Sequence, residues 1–234
     1  MSERKFGFEP AAGSLSEIVR LGALAEKHGF DVVWISDHLV DLRPLGGFKA
    51  DAWSILAYIA SMTSRIRLAP GVTDVYRCHP AQTANRVATL DELTAGRVML
   101  GIGAGEAMNI APYGIEWERA RIRRERLIEA VKIIKLLWTS NRDSPAHYDG
   151  KYYQLKNAWL DQLPTQNPHP PIYVGAFRSP KLLHAIGETA DGWLSSSFSN
   201  TPEIFRKRRQ IIEEAAKGVG RDPRNLDYVA KFHV

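Results

Sequence analysis

The chain contains a single cysteine, Cys78, among 234 residues. No intrachain disulfide can form, and a reducing cytosol is the expected setting. A lone thiol with no histidine partner readable from spacing is expected to pack or sit in a loop rather than act as a nucleophile. Also missing are a secretory leader and any apolar stretch of membrane-spanning length, so a cytoplasmic protein without membrane attachment is expected. His28, His79, His147, His169, His184 and His233 show no metal-ligand spacing, and no metal is expected. No nucleic-acid-binding motif accompanies the net charge of +5, so nucleic acid is not an expected partner. The densest basic run, Arg119–Arg126 (RARIRRER), opens a predicted helix. It reads either as a solvated helix face or as an attraction for an anionic cofactor or substrate.

What is present suits one soluble α/β domain with a sizeable core: 44% hydrophobic and 24% charged residues. Strand-like and helix-like segments alternate. Strands are expected at Lys5–Glu9, Asp31–Asp37, Ile66–Val72, Val98–Gly105, Ile172–Ala176, Gly192–Ser196 and Leu226–Val234. Helices are expected at Ser14–His28, Asp51–Thr63, Pro80–Thr94, Arg119–Ser140, Pro180–Ala190 and Pro202–Gly218, with Ser14 or Ser16 as an N-cap. In the fourth helix Ile122, Leu127, Ile128, Val131, Ile134, Leu137 and Trp138 form one apolar stripe. An insert over 141–171 holds a predicted hairpin, His147–Lys156, with Asp149–Gly150 as its two-residue turn.

Seven β units joined by helices imply parallel strands with right-handed crossovers. A (β/α)8 barrel, which takes about 250 residues, is the expected closure. A doubly wound open sheet is the alternative, but its dinucleotide fingerprint is absent from the first turn, Glu9–Leu15 (EPAAGSL). The whole of 1–234 reads as a single barrel domain, truncated after the seventh strand. Unpaired strands one and seven would otherwise be edges.

The stretch Val98–Asn109 (VMLGIGAGEAMN) runs from an apolar strand into alternating glycines, a glutamate and an asparagine. Glycine there admits close backbone approach and positive φ. A carboxylate there sits at the rim where barrels do chemistry. Trp34–His38, Ala69–Thr73 and Ile172–Ala176 likewise pass from apolar strand to polar or glycine-rich residues. His38 at such a rim can take a proton from a hydroxyl. Glu106 can donate or stabilise one, or cap the following helix. Glu9 is a third rim acid, or a cap of the first helix. Gly175, Ala176 and Phe177 lead into a helix whose first amides suit an anion. Tryptophans 34, 53, 138, 159 and 193 read as packing.

These strand ends resemble the luciferase-like superfamily of barrel oxidoreductases, in particular its branch using the deazaflavin coenzyme F420. KFGFEP (Lys5–Pro10), WISDH (Trp34–His38), APGVT (Ala69–Thr73), GAGEAMN (Gly103–Asn109), YDGKYYQL (Tyr148–Leu155), PIYVGA (Pro171–Ala176) and ADGW (Ala190–Trp193) carry the likeness, which covers nearly the whole chain. GAGEAMN and SDH resemble the sugar and secondary-alcohol dehydrogenases. The Glu9 opening and PGVT resemble the methylenetetrahydromethanopterin reductases. The resemblance implies hydride transfer between F420 and an alcohol, an aldose or a pterin-bound one-carbon unit. It implies His38, Glu106 and Glu9 as catalytic residues. Asp37, Asn109, Thr73, Gly103, Ala104 and Gly105 would contact the cofactor ring and ribityl chain. Gly71 and Val72 would form a bulge with a non-prolyl cis peptide behind the ring. Gly175, Ala176, Phe177, Ser195, Ser196 and Ser197 would hold the cofactor phosphate. Two departures are visible. The tryptophan that follows SDH in those dehydrogenases is missing from Leu39–Arg43 (LVDLR), and the phosphate-holding lysine of the glucose-6-phosphate enzymes is missing from Ser195–Asn200 (SSSFSN), which disfavours a sugar phosphate. An FMN-dependent monooxygenase and a non-catalytic cofactor-binding paralogue are the alternatives. A homodimer acting on a small molecule is expected.

Overall fold

The computed structural model describes residues 4–11, 13–40, 48–176, 178–196 and 200–232. Among the described residues, seven parallel strand positions alternate with six α-helices. In chain order these are β1 (Gly7–Phe8), α1 (Leu15–Lys27), β2 (Val32–Ile35), α2 (Ala52–Ser61), β3 (Arg67–Pro70) with its short continuation β4 (Thr73–Asp74), α3 (Pro80–Leu93), β5 (Leu100–Gly103) and α4 (Ala120–Leu137). The hairpin β6 (Ala146–Asp149) and β7 (Gln154–Ala158) follows, then β8 (Ile172–Gly175), α5 (Pro180–Thr189), β9 (Gly192–Ser196), α6 (Pro202–Gly218) and β10 (Asp227–Lys231).

The wall runs β1-β2-β3 and β4-β5-β8-β9-β10, every pair parallel. A parallel bridge between Leu68 and Val98 joins the two parts. Alternate side chains then face two separate cores, because successive residues of a strand point to opposite faces. Val32, Trp34, Ala69, Met99 and Tyr173 pack inside the wall, with the Trp34 and Tyr173 rings edge-on at 5.9 Å. Val33, Leu68, Leu100, Ile102, Ile172, Val174 and Trp193 pack outward under the helices. Burial on both faces is why these strands read as apolar runs. The helices start where capping side chains allow. Ser14, Asp51, Ser179 and Thr201 each accept an amide of the first turn, and His79 does so through its ring ahead of Pro80.

Two local expectations change. The strand expected over Ile66–Val72 stops at Pro70, where the chain bulges through a cis Gly71–Val72 peptide and resumes at Thr73. The hairpin does not turn on Asp149–Gly150. Asp149 pairs with Gln154, so the loop is 150–153. Its amides at Lys151, Tyr152 and Tyr153 donate to the Glu129 carboxylate of α4 at 3.0, 2.9 and 3.2 Å. A Cβ on Gly150 would lie 2.5 Å from Glu129 Oε2, so this glycine makes room for the carboxylate.

Candidate active site

The C-terminal ends of the strands gather the expected residues at one rim. His38 follows β2 and Glu106 follows β5, and His38 Nε2 lies 3.7 Å from Glu106 Oε2. The histidine is mostly shielded and the glutamate half exposed, so the pair opens on one side to solvent. Glu106 precedes a short 3-10 turn, Ala107–Asn109, but its side chain makes no capping hydrogen bond there. Beside them the bulge after β3 presents Val72. A Cβ on Gly101, Gly103 or Gly175 would come within 3.2, 2.8 and 3.4 Å of the Val72 methyls. The alternating glycines of β5 therefore seat Val72, where the sequence alone suggested direct approach by a ligand. Gly101 also faces the Pro70 carbonyl, 2.1 Å from where its Cβ would be. Gly105 has φ of +79° and would meet Ile110, so both space and backbone demand glycine there. Ala104 packs against the outer core.

The protein itself occupies much of the remaining polar set. Asp37 pairs with Arg77, whose NH2 group lies 3.2 Å from Asp37 Oδ2 and donates to the Asp37 carbonyl at 2.5 Å. Arg77 Nε binds Asp74, and the other Asp74 oxygen accepts the amides of Tyr76 and Arg77 at 2.8 and 2.9 Å. The two carboxylates raise the basicity of Arg77 against the opposing effect of burial. Asn109 Oδ1 accepts the amides of Leu39 and Val40 at 2.7 and 3.1 Å. Glu9 does not cap α1. Its carboxylate accepts from Ser36 and pairs with Lys231 of β10. Thr73 is buried and pairs with Ile102 in the β4–β5 ladder. At the neighbouring strand ends, the Ala176 carbonyl accepts from Trp193 Nε1 at 2.9 Å, and Gly175 pairs with Leu194. Asn200 donates to Ser195 Oγ at 2.9 Å and to the Ser196 carbonyl at 3.1 Å. Phe177 and Ser197 lie outside the described residues, as do the last three of Leu39–Arg43.

Arg77, Asp74, Ser36 and Lys231 were not singled out by sequence. A signal existed for the first two: an aspartate three residues before an arginine, just past a glycine bulge, can chelate its own turn. Lys231 and Ser36 leave no such trace, since their partner Glu9 is remote in the chain.

The basic run of α4 has a third role. Arg126 binds Glu118 at 2.6 Å and lies over the rings of Tyr76, Tyr152 and Tyr153. Tyr76 donates to Glu118 at 2.6 Å. Hydrogen bonding from Arg126, helped by Tyr76, holds Glu118 below the usual carboxylate range, while burial and Glu118 push the Tyr76 phenol up. Arg123 stacks 3.7 Å over Trp117, and Arg121 pairs with Glu125. Much of this charge therefore ties the rim loop and the hairpin to α4. Cys78 is buried, with Sγ 3.1 Å from Gln82 Oε1. No described helix is long and apolar enough to cross a membrane.

A parallel β/α barrel wall with a histidine–carboxylate pair at its C-terminal rim is the architecture of a barrel enzyme. The chain belongs to the luciferase-like monooxygenase family, whose model matches residues 2–234. It is 34% identical over 234 residues to an F420-dependent glucose-6-phosphate dehydrogenase of Microbacterium testaceum (strain StLB037), covering 98% of this chain and 68% of that protein. An F420-dependent secondary alcohol dehydrogenase, solved with an F420-acetone adduct, superposes with a TM-score of 0.89 at 28% identity, over 97% of this chain and 68% of that one. A coenzyme F420 dependent tetrahydromethanopterin reductase from Methanopyrus kandleri gives a TM-score of 0.83 at 29% identity, over 98% and 65%. The chain thus spans about two thirds of the length of these relatives.

Proposed function

We propose that this chain is an F420-dependent oxidoreductase that moves a hydride between the deazaflavin and a small organic substrate. The 3.7 Å approach of His38 to Glu106 at the barrel rim is the observation that carries this reading. Two features of the rim fit the cofactor. Val72 stands over glycines of β5 and β8 as an apolar shelf for a flat ring. Asn109 Nδ2 is a buried donor without a hydrogen-bond partner among the described residues, which suits a polar ring edge. When bound, F420 supplies the carbon, C5, that accepts or returns the hydride. His38 takes or returns the hydroxyl proton of the substrate. Glu106 steadies the charge this leaves on the imidazole and stays in reach of solvent for proton exchange. Glu9, fixed by Ser36 and Lys231, adds a second carboxylate toward the substrate side. An alcohol or an aldose fits this chemistry; a pterin-bound one-carbon unit fits the hydride transfer alone, since its reacting carbon bears no hydroxyl for His38 to deprotonate. A sugar phosphate is disfavoured, because Ser195–Asn200 offers no lysine. The reading includes a cytoplasmic homodimer; exposed Tyr58 on α2, Met62 just past its end and Leu93 on α3 support the pairing of two copies.

The test is anaerobic titration of the chain with F420, followed by a substrate panel read at the deazaflavin absorbance. Binding with turnover is expected, and His38→Ala or Glu106→Gln lowers the rate by about a hundredfold, the scale of one lost acid–base group. Binding of FMN instead, with oxygen consumption, overturns the reading in favour of a monooxygenase. F420 binding without turnover on any substrate overturns it in favour of a non-catalytic paralogue.

A further inference from the structure

The backbone around His38 is gripped from two neighbouring loops. Before it, the Asp37 carbonyl accepts from Arg77 at 2.5 Å. After it, the amides of Leu39 and Val40 both donate to Asn109 Oδ1, at 2.7 and 3.1 Å. Asn109 is 1% exposed, so bulk water does not compete for these two amides while its oxygen is in place. It closes the same 3-10 turn that Glu106 opens. One short turn therefore both presents the carboxylate and holds the chain that bears the histidine. The 3.7 Å spacing of the pair is set within that unit rather than by two independent loops.

We propose that Asn109 is a positioning residue: its carboxamide oxygen fixes where His38 stands relative to Glu106. The structural half of this stands on the contacts alone, and its catalytic consequence rests on the oxidoreductase reading. A cofactor contact would use the other end of the same side chain, the Nδ2 donor, so the two roles separate chemically. Asn109→Asp keeps an oxygen acceptor for both amides and discards the donor. Asn109→Leu has similar size and neither group.

The experiment has two arms. In the ligand-free chain, hydrogen exchange at the Leu39 and Val40 amides is followed by NMR, with the β5 amides as a folding control. Asn109→Leu is expected to speed exchange at these two amides by about tenfold or more, and Asn109→Asp to restore protection. In the second arm, kcat is compared with the F420 dissociation constant from fluorescence. Asn109→Leu is expected to lower kcat by about tenfold to a hundredfold, the cost of a reacting group misplaced by about an ångström. The dissociation constant follows the Nδ2 donor, so Asn109→Leu and Asn109→Asp should weaken F420 by a similar factor, whereas Asn109→Asp alone should recover most of kcat at saturating F420. If the control amides of Asn109→Leu also exchange, Asn109→Ala replaces it. Unchanged protection in the acceptor-free variant overturns the proposal. So does an aspartate variant as slow as leucine, or a loss that falls on F420 affinity with kcat intact. A wild-type chain without turnover defeats the oxidoreductase reading, and the exchange arm still decides the clamp.

Discussion

Replacing Arg77 by methionine removes one guanidinium and leaves two carboxylates without their cation. The side chains of Asp37 and Asp74 are 10% and 6% exposed, so neither charge is well hydrated after the change. Breaking one partner of a buried ion pair costs about 3–5 kcal/mol. Two features argue for the lower end. Asp74 keeps the amides of Tyr76 and Arg77, and Asp37 sits at the rim where water can approach. The expected loss is about 3 kcal/mol, out of the roughly 5–15 kcal/mol that stabilises a folded domain. At about 2–4 °C per kcal/mol for a chain of this size, the midpoint falls by about 6–12 °C. Urea unfolding at neutral pH, followed by far-UV circular dichroism, reads the change as a lower midpoint at unchanged slope. The doubly substituted chain, with Asp74→Asn added, should recover part of the loss, because the stranded charge is then gone. A loss below about 1 kcal/mol, the value of a solvent-exposed pair, would refute the view that this arginine neutralises a buried site.

Gly103→Ala would place a methyl carbon 2.8 Å from Val72 Cγ2. Overpacking of this kind costs about 1–3 kcal/mol and here pushes the shelf residue outward. Weaker F420 binding is expected by fluorescence titration, whereas Gly13→Ala, with nothing within 4 Å of its Cβ, should leave binding unchanged. Glu118 supplies a pH-dependent term. Its folded-state pKa is depressed, chiefly by Arg126, so it contributes stability above the ordinary carboxylate range and loses it as pH falls through the folded value. Urea midpoints from pH 7 to 3 should therefore fall less steeply for Glu118→Gln than for wild type on the acid side, and parallel curves would count against the assignment.

The architecture was legible because its signals are local. β9 and α6 fall where a glycine after ADGW's aspartate and a Thr201–Pro202 start would put them. The apolar strand runs reflect burial on both faces, which parallel strands require. The hairpin turn departs from its sequence signal for the opposite reason. Asp149–Gly150 is a strong local turn signal, yet the carboxylate that shapes the loop belongs to Glu129 on another element.

The rim divides along the same line. His38 and Glu106 stand out because each ends an apolar strand, and the chain needs no distant partner to put them there. The partners of Asp37, Asn109 and Glu9 come from other strand ends: Arg77, the Leu39–Val40 backbone and Lys231. Sequence thus identified these residues as polar groups at a rim but could not tell ligand contacts from internal ties. The distinction changes what their substitution means. A residue that only touches a cofactor can be removed without disturbing the His38–Glu106 pair, whereas Asn109 and Arg77 hold the backbone on either side of His38. On the proposed reading, the rim works only while three loops keep a common register, and loosening the Arg77 tie while His38 and Glu106 are preserved should lower rate before it lowers cofactor affinity.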